Sequence, residues 1–540
     1  MGLKNKLKTL RLKAEKVEDP GLEDLETEEE NKERWQSIYI IYFTMFLISL
    51  GFSIIITGVW PYLDKLDPTA GKEFMGYVVA ANPFAQMLFS PLVGWWSNKL
   101  GTIRLPMLTS LALFTVASAM YSSLELFSGY RKYWMLWTRF LIGVSSANIA
   151  ACRSYVSAAT KFSERTKAVS MISLAQVLGF IIGPALQAAV VFLGDEGVWL
   201  FPNKLKLDMY TASGWINVFL SVVNFCLFLP YFFKEHKIAG KEAMMKQGAK
   251  NEKETWLKPD YLSAWTLIGA FFVLVFNFML LETLGTSLTM DQFAWNKSEA
   301  MYYMGILMSI GGILAIICFA MINPLCRWFP ENKVMIWGGF LFMLLGRAVY
   351  IPWGDGYPVM YDDSNRLMNC ENSSLNVINA TEFYDYTLNI TESACDESIL
   401  VGCPSSQEWC LYTRVMTLFQ FLFGYLLTCL GYPIGVTLIQ TIFSKILGPR
   451  PQGVWMGLLT GSGCLSRVMG PVFVTHIYTI YGTNWTFGFT ALMMLVSMIW
   501  LIYFTDRLLP KEIVREEEEG TELNEVNSFV QIPLTAKTDA

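Results

Sequence analysis

Long apolar runs alternate with short polar segments along most of the chain. Twelve runs can be counted, and each can cross about 30 Å of hydrocarbon as a helix that satisfies its own backbone hydrogen bonds. The pattern predicts an all-α membrane protein with twelve transmembrane helices. The runs lie at about 38–60, 74–96, 105–126, 133–160, 168–193, 210–233, 262–284, 300–321, 333–352, 411–443, 454–478 and 485–505.

The amino-acid composition narrows the possible classes of function. Hydrophobic residues make up 53% of the 540 positions and charged residues 16%, against roughly 25% charged residues in soluble domains. The net charge of −5 gives no basic excess, so we expect no nucleic-acid partner. With only two histidines, a metal centre or a Ser-His-Asp triad has few residues to use. We therefore expect no enzyme, no cofactor and no metal.

The distribution of Lys and Arg predicts the orientation in the membrane. An even number of spans places both termini on one side. That side would carry 28 of the Lys and Arg residues and the opposite side only 8. Because positive residues favour the cytosol, the sequence predicts N-in/C-in topology.

A polar segment divides the spans into two sets of six. It predicts a cytosolic linker between an N-terminal and a C-terminal six-helix lobe, the arrangement expected of a secondary transporter. The predicted regions are an N-terminal tail at 1–37, lobes at 38–233 and 262–505, the linker at 234–261 and an acidic tail at 506–540.

The long segment 353–410 has the features of a lumenal loop. Asn372, Asn379 and Asn389 each begin an Asn-X-Ser/Thr sequon, which predicts glycosylation on the non-cytosolic side. Four cysteines in the same segment predict disulfides with three possible connectivities. These are Cys370, Cys395, Cys403 and Cys410.

Ionisable residues inside apolar runs are costly and are therefore candidates for function. Arg139 lies in the outer third of span 4, Glu282 near the outer end of span 7 and Arg467 in the middle of span 11. The amides of Asn148 and Gln176 could bind a solute or hold helices together. The alternatives are a structural ion pair for Arg139 and a lumen-wetted position for Glu282.

Three other arginines have a simpler interpretation. Arg347 and Arg414 could extend to the outer surface and Arg153 to the cytosol. Even so, five arginines and one clear acid within the spans predict a positive interior. Such an interior attracts an anion or a small anionic solute and repels small cations.

Short motifs resemble signatures of the major facilitator superfamily, in its drug/proton antiporter branch. The segment from Gly94 to Arg104 resembles the signature of the loop between spans 2 and 3, and Arg139-x3-Gly143 that of span 4. Gly179-x3-Gly183-Pro184 resembles the span 5 signature, and Ser466-x3-Gly470-Pro471 repeats it in span 11. The residues expected to govern conformational change are Gly94, Asn98, Gly101, Arg104, Gly143, Gly179, Gly183, Pro184, Gly470 and Pro471.

The resemblance carries further expectations about structure and location. It implies that spans 1, 4, 7 and 10 line a central cavity. Asn98 stands where this superfamily usually has Asp, which implies a weaker charge latch on the cytosolic side. Longer segments such as 288–295 and 444–457 resemble a lysosomal glycoprotein branch. They imply a lysosomal or late endosomal membrane, possible sorting adaptors and chloride permeation, with the plasma membrane as the alternative.

Three functions remain open from the sequence. The first is an endolysosomal anion pathway, with chloride as the anion, in which Arg139 and Arg467 stabilise the anion and Glu282 gates by protonation. The second is a proton-coupled exporter of a small anionic or zwitterionic solute. The third is a non-transporting scaffold or receptor in contact with membrane lipid.

Overall fold

The computed structural model describes most of the helical part of the chain. Its described residues are 25–56, 58–67, 70–127, 129–190, 193–194, 197–201, 205–247, 260–361, 402–404 and 407–508. The three sequons of the long loop, together with Cys370 and Cys395, lie outside these residues.

The N-terminal half is built from helices and one small hairpin. The hairpin strands pair antiparallel, with a bulge between Trp199 and Phe201. The elements are α1 (Glu28–Ile56), α2 (Val59–Leu66), α3 (Gly71–Leu100), α4 (Arg104–Ser122), a 3-10 turn (Leu124–Leu126), α5 (Arg131–Ser146), α6 (Ile149–Ala159), α7 (Arg165–Val190), β1 (Val198–Phe201), β2 (Leu205–Leu207), α8 (Thr211–Leu227) and α9 (Ile238–Gln247).

The C-terminal half is also helical. A short parallel pair, β3 with β4, joins the two ends of the long loop. The elements are α10 (Tyr261–Phe293), α11 (Lys297–Trp328), α12 (Glu331–Val334), a π-helix (Met335–Phe340), α13 (Leu341–Val349), β3 (Met360–Tyr361), β4 (Cys403–Pro404), a 3-10 turn (Glu408–Leu411), α14 (Leu418–Leu447), α15 (Gly453–Tyr503) and a final 3-10 turn (Thr505–Leu508).

Within the described residues, eight helices are long and apolar enough to cross a membrane. One of them, α15, covers two of the predicted spans, because a non-helical residue, Gly482, interrupts it at φ 81° and ψ −170°. The other three predicted runs also form helix, in α3, α8 and the segments from α12 to α13. Helix α3 contains two prolines, α8 has only 17 residues, and a π-helix precedes α13. The protein is thus an all-helical membrane protein, and the count of twelve spans stays a prediction.

The two ends of the described chain lie on the same side of the molecule. Arg34 pairs with Glu164 at 3.0 Å, and Thr166, two residues later, bonds to Glu331. The neighbouring Asn332 Nδ2 donates to the Thr505 carbonyl at 3.2 Å. We call this the tail side. The opposite side, where Cys403 and the other residues flanking the long loop lie, is the loop side.

The segment before α14 is anchored to the loop side of the C-terminal half. A disulfide joins Cys403 to Cys410. Trp409, between them, is fully buried. Its ring packs edge-on against Tyr478, with the centroids 5.2 Å apart. A Cβ on Gly482 would lie 2.5 Å from the Trp409 ring, so the absence of a side chain at Gly482 leaves room for this ring.

Trp409→Ala should lower the stability of the protein strongly. Removing a fully buried aromatic side chain leaves a cavity and costs about 3–5 kcal/mol. The expected result is a clearly lower melting temperature of the purified protein in detergent. Trp353→Ala is the matched control, because Trp353 is 64% exposed on the same side and should change the melting temperature little. Equal melting temperatures for the two variants would contradict this assignment.

An ion pair holds the loop side of the N-terminal half. Lys65 Nζ lies 2.8 Å from Asp208 Oδ2 and 2.8 Å from Glu125 Oε1. Burial alone would raise the pKa of Asp208, but hydrogen bonds from Lys65 and Thr211 outweigh it and hold that pKa below its ordinary value. The contribution of Asp208 to stability is therefore present above its unfolded pKa and is lost only as pH falls through the lower folded pKa.

Candidate functional site

Polar side chains from both halves face each other in the middle of the helices. Arg153 of α6 and Gln176 of α7 come from the N-terminal half. Glu282 of α10, Tyr432 of α14 and Arg467 of α15 come from the C-terminal half. All five are partly or largely exposed although they lie inside long helices, so they line a water-accessible space between the halves. We call these residues the central cluster.

Arg153 joins the two halves at the tail-side end of this space. Its Nη1 donates to Thr460 Oγ1 at 3.1 Å, and its Nη2 donates to Gln176 Oε1 at 3.3 Å. The Nε atom is buried and has no partner. The prediction that Arg153 extends to the cytosolic surface is wrong, because Thr460 and Gln176 draw the guanidinium inward.

Arg467 lies near the midpoint of the first segment of α15. Within the described residues it has no hydrogen-bonded or ion-paired partner, and its guanidinium lies 5.9 Å from the centre of the Phe180 ring. Arg153 is close enough for the two positive charges to repel each other. Two cations held together without a carboxylate partner are unfavourable unless water or an anion compensates them.

Glu282 is the carboxylate of the central cluster. It lies eleven residues before the end of α10 at Phe293, or about 16 Å at 1.5 Å per residue. It is therefore deeper than the predicted position near a span end. One turn earlier on the same side of the helix, Phe278 stacks on Tyr432 with the ring centroids 3.9 Å apart. Arg467 acts on Glu282 electrostatically, but the two form no salt bridge within the described residues.

The described hydrogen bonds between the halves lie at Arg153 or on its tail side. Ser444 Oγ donates to Ser157 Oγ at 2.7 Å, and Arg165 Nη1 donates to the Ser444 carbonyl at 3.4 Å. Thr166 Oγ1 bonds to Glu331, which also pairs with Lys445 at 2.8 Å within the C-terminal half. These contacts close the central space on the tail side. No described hydrogen bond joins the halves on the loop side.

Backbone contact between α3 and α15 strengthens the closure. A Cβ on Gly94 would overlap the Gly453 carbonyl, and a Cβ on Gly457 would lie 2.6 Å from Pro91 Cα. Asn98 adds a hydrogen bond here, because its Oδ1 accepts from the Gly453 amide at 2.9 Å. Since Gly453 is the first residue of α15, Asn98 contacts the positive end of that helix.

Asn98→Asp should stabilise the conformation that is closed on the tail side. A carboxylate at a helix N-terminus gains about 0.3–1 kcal/mol over a neutral group, which corresponds to about two- to fivefold in the conformational equilibrium. We expect turnover to fall by about that factor with little change in KM, measured as solute uptake into proteoliposomes. Asn98→Ala removes the bond and should shift the equilibrium the other way. A change in the same direction for both variants would contradict this role.

The loop after α3 is held by the linker between the halves. Gly101 adopts a φ of 68° and ends α3. Glu235 Oε1 accepts from the backbone amides of Ile103 and Arg104 at 3.1 and 3.0 Å. Arg104 Nη2 donates to the Phe233 carbonyl. Glu235 therefore caps α4, a role that the sequence analysis missed.

The glycine motif of α7 packs directly against α1. A Cβ on Gly179 would lie 2.8 Å from the Leu50 amide, and one on Gly183 would lie 2.9 Å from the Ile54 amide. The motif in α15 is not equivalent, because a Cβ on Gly470 would meet Met279 at an ordinary 3.5 Å. Pro184 and Pro471 lie inside their helices.

Two of the predicted cavity residues lie away from the central cluster. Arg139 is fully buried in the N-terminal half, where Gly143, one turn later, contacts the Asn82 carbonyl. Asn148, which is 2% exposed, lines a separate small cavity within the same half, together with Asn217 and Asn224. The structure thus brings Gln176, Glu282 and Arg467 together, but not Arg139 and Asn148.

The remaining arginines differ from each other. Arg347 is fully buried, and its Nη2 donates to Thr428 Oγ1 at 3.3 Å, so the prediction that it extends to the surface is wrong. Arg414 is exposed on the loop side, as predicted. The sequence did contain a signal for Arg153, because it is an ionisable residue inside the apolar run 133–160.

Three comparisons with known proteins place the chain in a family. Residues 41–361 and 401–536 match the description "Major Facilitator Superfamily". The chain is 37% identical over 492 residues to "Major facilitator superfamily domain-containing protein 8" of Xenopus laevis, covering 90% of this chain and 94% of that protein. It is 26% identical over 284 residues to "Multidrug resistance protein 2" of Bacillus subtilis, covering 52% of this chain and 64% of that protein.

Solved structures share the fold at low sequence identity. The human organic anion transporter MFSD10 (TETRAN) aligns with a TM-score of 0.58 at 16% identity, covering 87% of this chain and 99% of that structure. The proton:xylose symporter XylE aligns with a TM-score of 0.61 at 12% identity, covering 88% and 96%. The helices, the packing of the two halves and these matches lead to one conclusion: the chain belongs to the major facilitator superfamily.

Proposed function

We propose that this membrane transporter carries a small anionic solute through the space between its two halves by alternating access. The tail side would face the cytosol and the loop side a lumen, with twelve spans in N-in/C-in topology. The excess of Lys and Arg in the tail-side segments supports this orientation. In the conformation described here, the solute would enter from the lumen.

The observation that supports an anion most directly is the pair Arg153 and Arg467. Arg467 has no carboxylate partner within the described residues, and Arg153 is bonded only to neutral groups. An unpaired guanidinium in a protein interior is unfavourable. An anion that binds between the two removes their mutual repulsion and supplies the missing acceptors.

The closure of the central space on the tail side favours a carrier over an open pore. The tail-side bonds block a continuous path in this conformation, so passage requires the halves to move. Chloride fits the charge of the site. A carboxylate-bearing solute fits as well, and it is favoured because one protein that shares this fold is an organic anion transporter. Both belong to the proposed substrate class.

The test is a current measurement on proteoliposomes that contain the purified protein. A chloride gradient is imposed, with and without a pH gradient, and labelled organic anions are then tested in the same vesicles. We expect a flux carried by at least one anion and none carried by sodium or potassium. A flux of cations, or no flux of any anion, would overturn the proposal.

Proton-coupled export is the second candidate, and Glu282 is the residue that favours it. Glu282 is the carboxylate that shares the central space with Arg467, so its protonation would change the charge that the solute meets. Under coupled export, Glu282→Gln should abolish uptake driven by a pH gradient while exchange of solute across the membrane continues. In a simple anion pathway, the variant should lose only the pH dependence. The measurement is uptake at equal and unequal pH across the vesicle membrane.

A scaffold or receptor has less support, because it has no need of unpaired arginines at its centre.

We also propose a lysosomal or late endosomal membrane as the location, supported by the 37% identity to major facilitator superfamily domain-containing protein 8. The glycosylation of Asn372, Asn379 and Asn389 and any disulfide of Cys370 or Cys395 are part of this proposal. Loss of the gel shift after glycosidase treatment would test the glycans.

A further inference from the structure

Arg139 is a buried cation without a compensating partner. It is fully buried, and its Nε, Nη1 and Nη2 atoms all lack a hydrogen-bond partner. Its guanidinium lies 5.7 Å from the centre of the Phe52 ring. Such a contact contributes about 0.5–2 kcal/mol, whereas burying an unpaired ion costs several kcal/mol. The ring of Phe52 therefore cannot compensate this charge.

The helices that face Arg139 add further unpaired donors. Asn82 Nδ2, Ser49 Oγ and Ser118 Oγ are buried and have no partner. Asn82 contacts Gly143, one turn from Arg139, and Ser49 lies one turn from Phe52. Ser118 lies one turn from Tyr121, which is an electrostatic neighbour of Arg139. A buried guanidinium without a partner needs a hydrogen-bond acceptor, and a small anion is the acceptor with the matching charge.

Two phenylalanines separate Arg139 from the central cluster. Phe52 and Phe180 form an edge-to-face pair with ring centroids 5.9 Å apart. Arg467 lies on the other side of the pair, 5.9 Å from the Phe180 ring. The order is thus Arg139, Phe52, Phe180, Arg467. Ser53 Oγ donates to the Gly179 carbonyl at 3.0 Å, so the backbones that carry the two rings are fixed to each other beside the pair.

We propose that Arg139 forms a second anion-binding site, closed off from the central space by the Phe52–Phe180 pair. A small anion reaches it when Phe52 rotates away, and it then accepts hydrogen bonds from the guanidinium. This inference rests on the proposed function, because the anion enters through the central space. It adds to that function a second site of the same ligand class on the other side of an aromatic partition.

The test is thermal stabilisation of the purified full chain in nanodiscs by chloride, with a bulky sulfonate (HEPES) at equal ionic strength as the reference. A ligand that binds only the folded protein stabilises it by RT ln(1 + [L]/Kd), so its melting temperature rises with ligand concentration once that concentration exceeds Kd. We expect Arg467→Gln and Arg139→Gln each to remove part of the chloride-dependent shift, and the double variant to remove all of it.

Phe52→Ala tests whether the Phe52 ring blocks access of the anion to Arg139, which stays intact in this variant. If Phe52 must rotate before the anion binds, the apparent affinity is reduced by the small fraction of open protein. We expect the variant to lower the half-saturating chloride concentration at this site about tenfold or more. Because Arg139 is intact, the variant also answers the question if Arg139→Gln does not fold. Phe419→Ala, which replaces an exposed phenylalanine of α14, is the control.

The outcomes separate this inference from the proposed function. A shift that depends on Arg467 but is unchanged by Arg139→Gln and Phe52→Ala would overturn the second site and leave the proposed function standing. No chloride-dependent shift in any variant, together with no anion flux, would overturn both. A chloride-dependent rise in melting temperature that is reduced in Arg139→Gln and occurs at lower chloride concentrations in Phe52→Ala would support the second site.

Discussion

Arg467→Gln should reduce anion uptake by about 100-fold or more. Arg467 is the partly exposed cation near the middle of α15, and within the described residues no carboxylate forms a salt bridge with it. Each hydrogen bond to a charged group contributes about 1.5–3 kcal/mol, and a guanidinium can make two to one anion. Losing both costs about 3 kcal/mol or more, which corresponds to at least 100-fold in affinity. The measurement is initial uptake of the labelled anion into proteoliposomes across a range of concentrations.

Arg414→Gln is the matched control for this prediction. It removes the same charge from an exposed position on the loop side, so uptake should change little. Arg467→Lys keeps the charge but loses the planar pair of donors, and we expect intermediate activity. Full activity of Arg467→Gln at normal protein levels would contradict the assigned role.

Arg153→Gln should reduce transport about tenfold or more and act mainly on turnover. Arg153 donates to Thr460 in one half and to Gln176 in the other, so it must exchange partners when the halves move apart on the tail side. Its charge also faces the bound anion in the conformation described here. We therefore expect a lower kcat and a moderate rise in KM, measured in the same uptake assay.

Thr460→Val separates the two contributions of Arg153. It removes the bond between the halves and keeps the charge, so it should affect turnover without a large change in KM. Arg153→Lys keeps the charge and changes the geometry. If Thr460→Val and Arg153→Gln had equal effects, the charge of Arg153 would have no role in binding, and the prediction would be wrong.

The sequence predicted the family and the all-helical fold because burial in a membrane demands long apolar helices. It predicted less well where helices end. Apolar character falls after residue 284, yet α10 continues to Phe293, because Asp291 is bonded to Tyr478 Oη at 2.8 Å. That contact joins residues far apart in the sequence, and the apolar pattern does not contain it.

The candidate site was also predicted only in part, because long-range contacts determine where its side chains point. A charge inside an apolar run was enough to select Arg467 and Glu282. The direction of an arginine side chain depends on distant partners, such as Thr428 for Arg347 and Thr460 for Arg153. Arg139 was predicted to line the same cavity as Arg467, but two aromatic rings separate them, a feature that depends on the packing of α1 against α7.

The most direct test of the central claim is counterflow. Proteoliposomes are loaded with an unlabelled anion, and uptake of the labelled anion is compared with uptake into vesicles without it. The alternating-access account predicts that internal anion accelerates uptake several-fold in the wild-type protein and not in Arg467→Gln, and that internal cations have no effect. No acceleration by any anion, or acceleration by a cation instead, would contradict it.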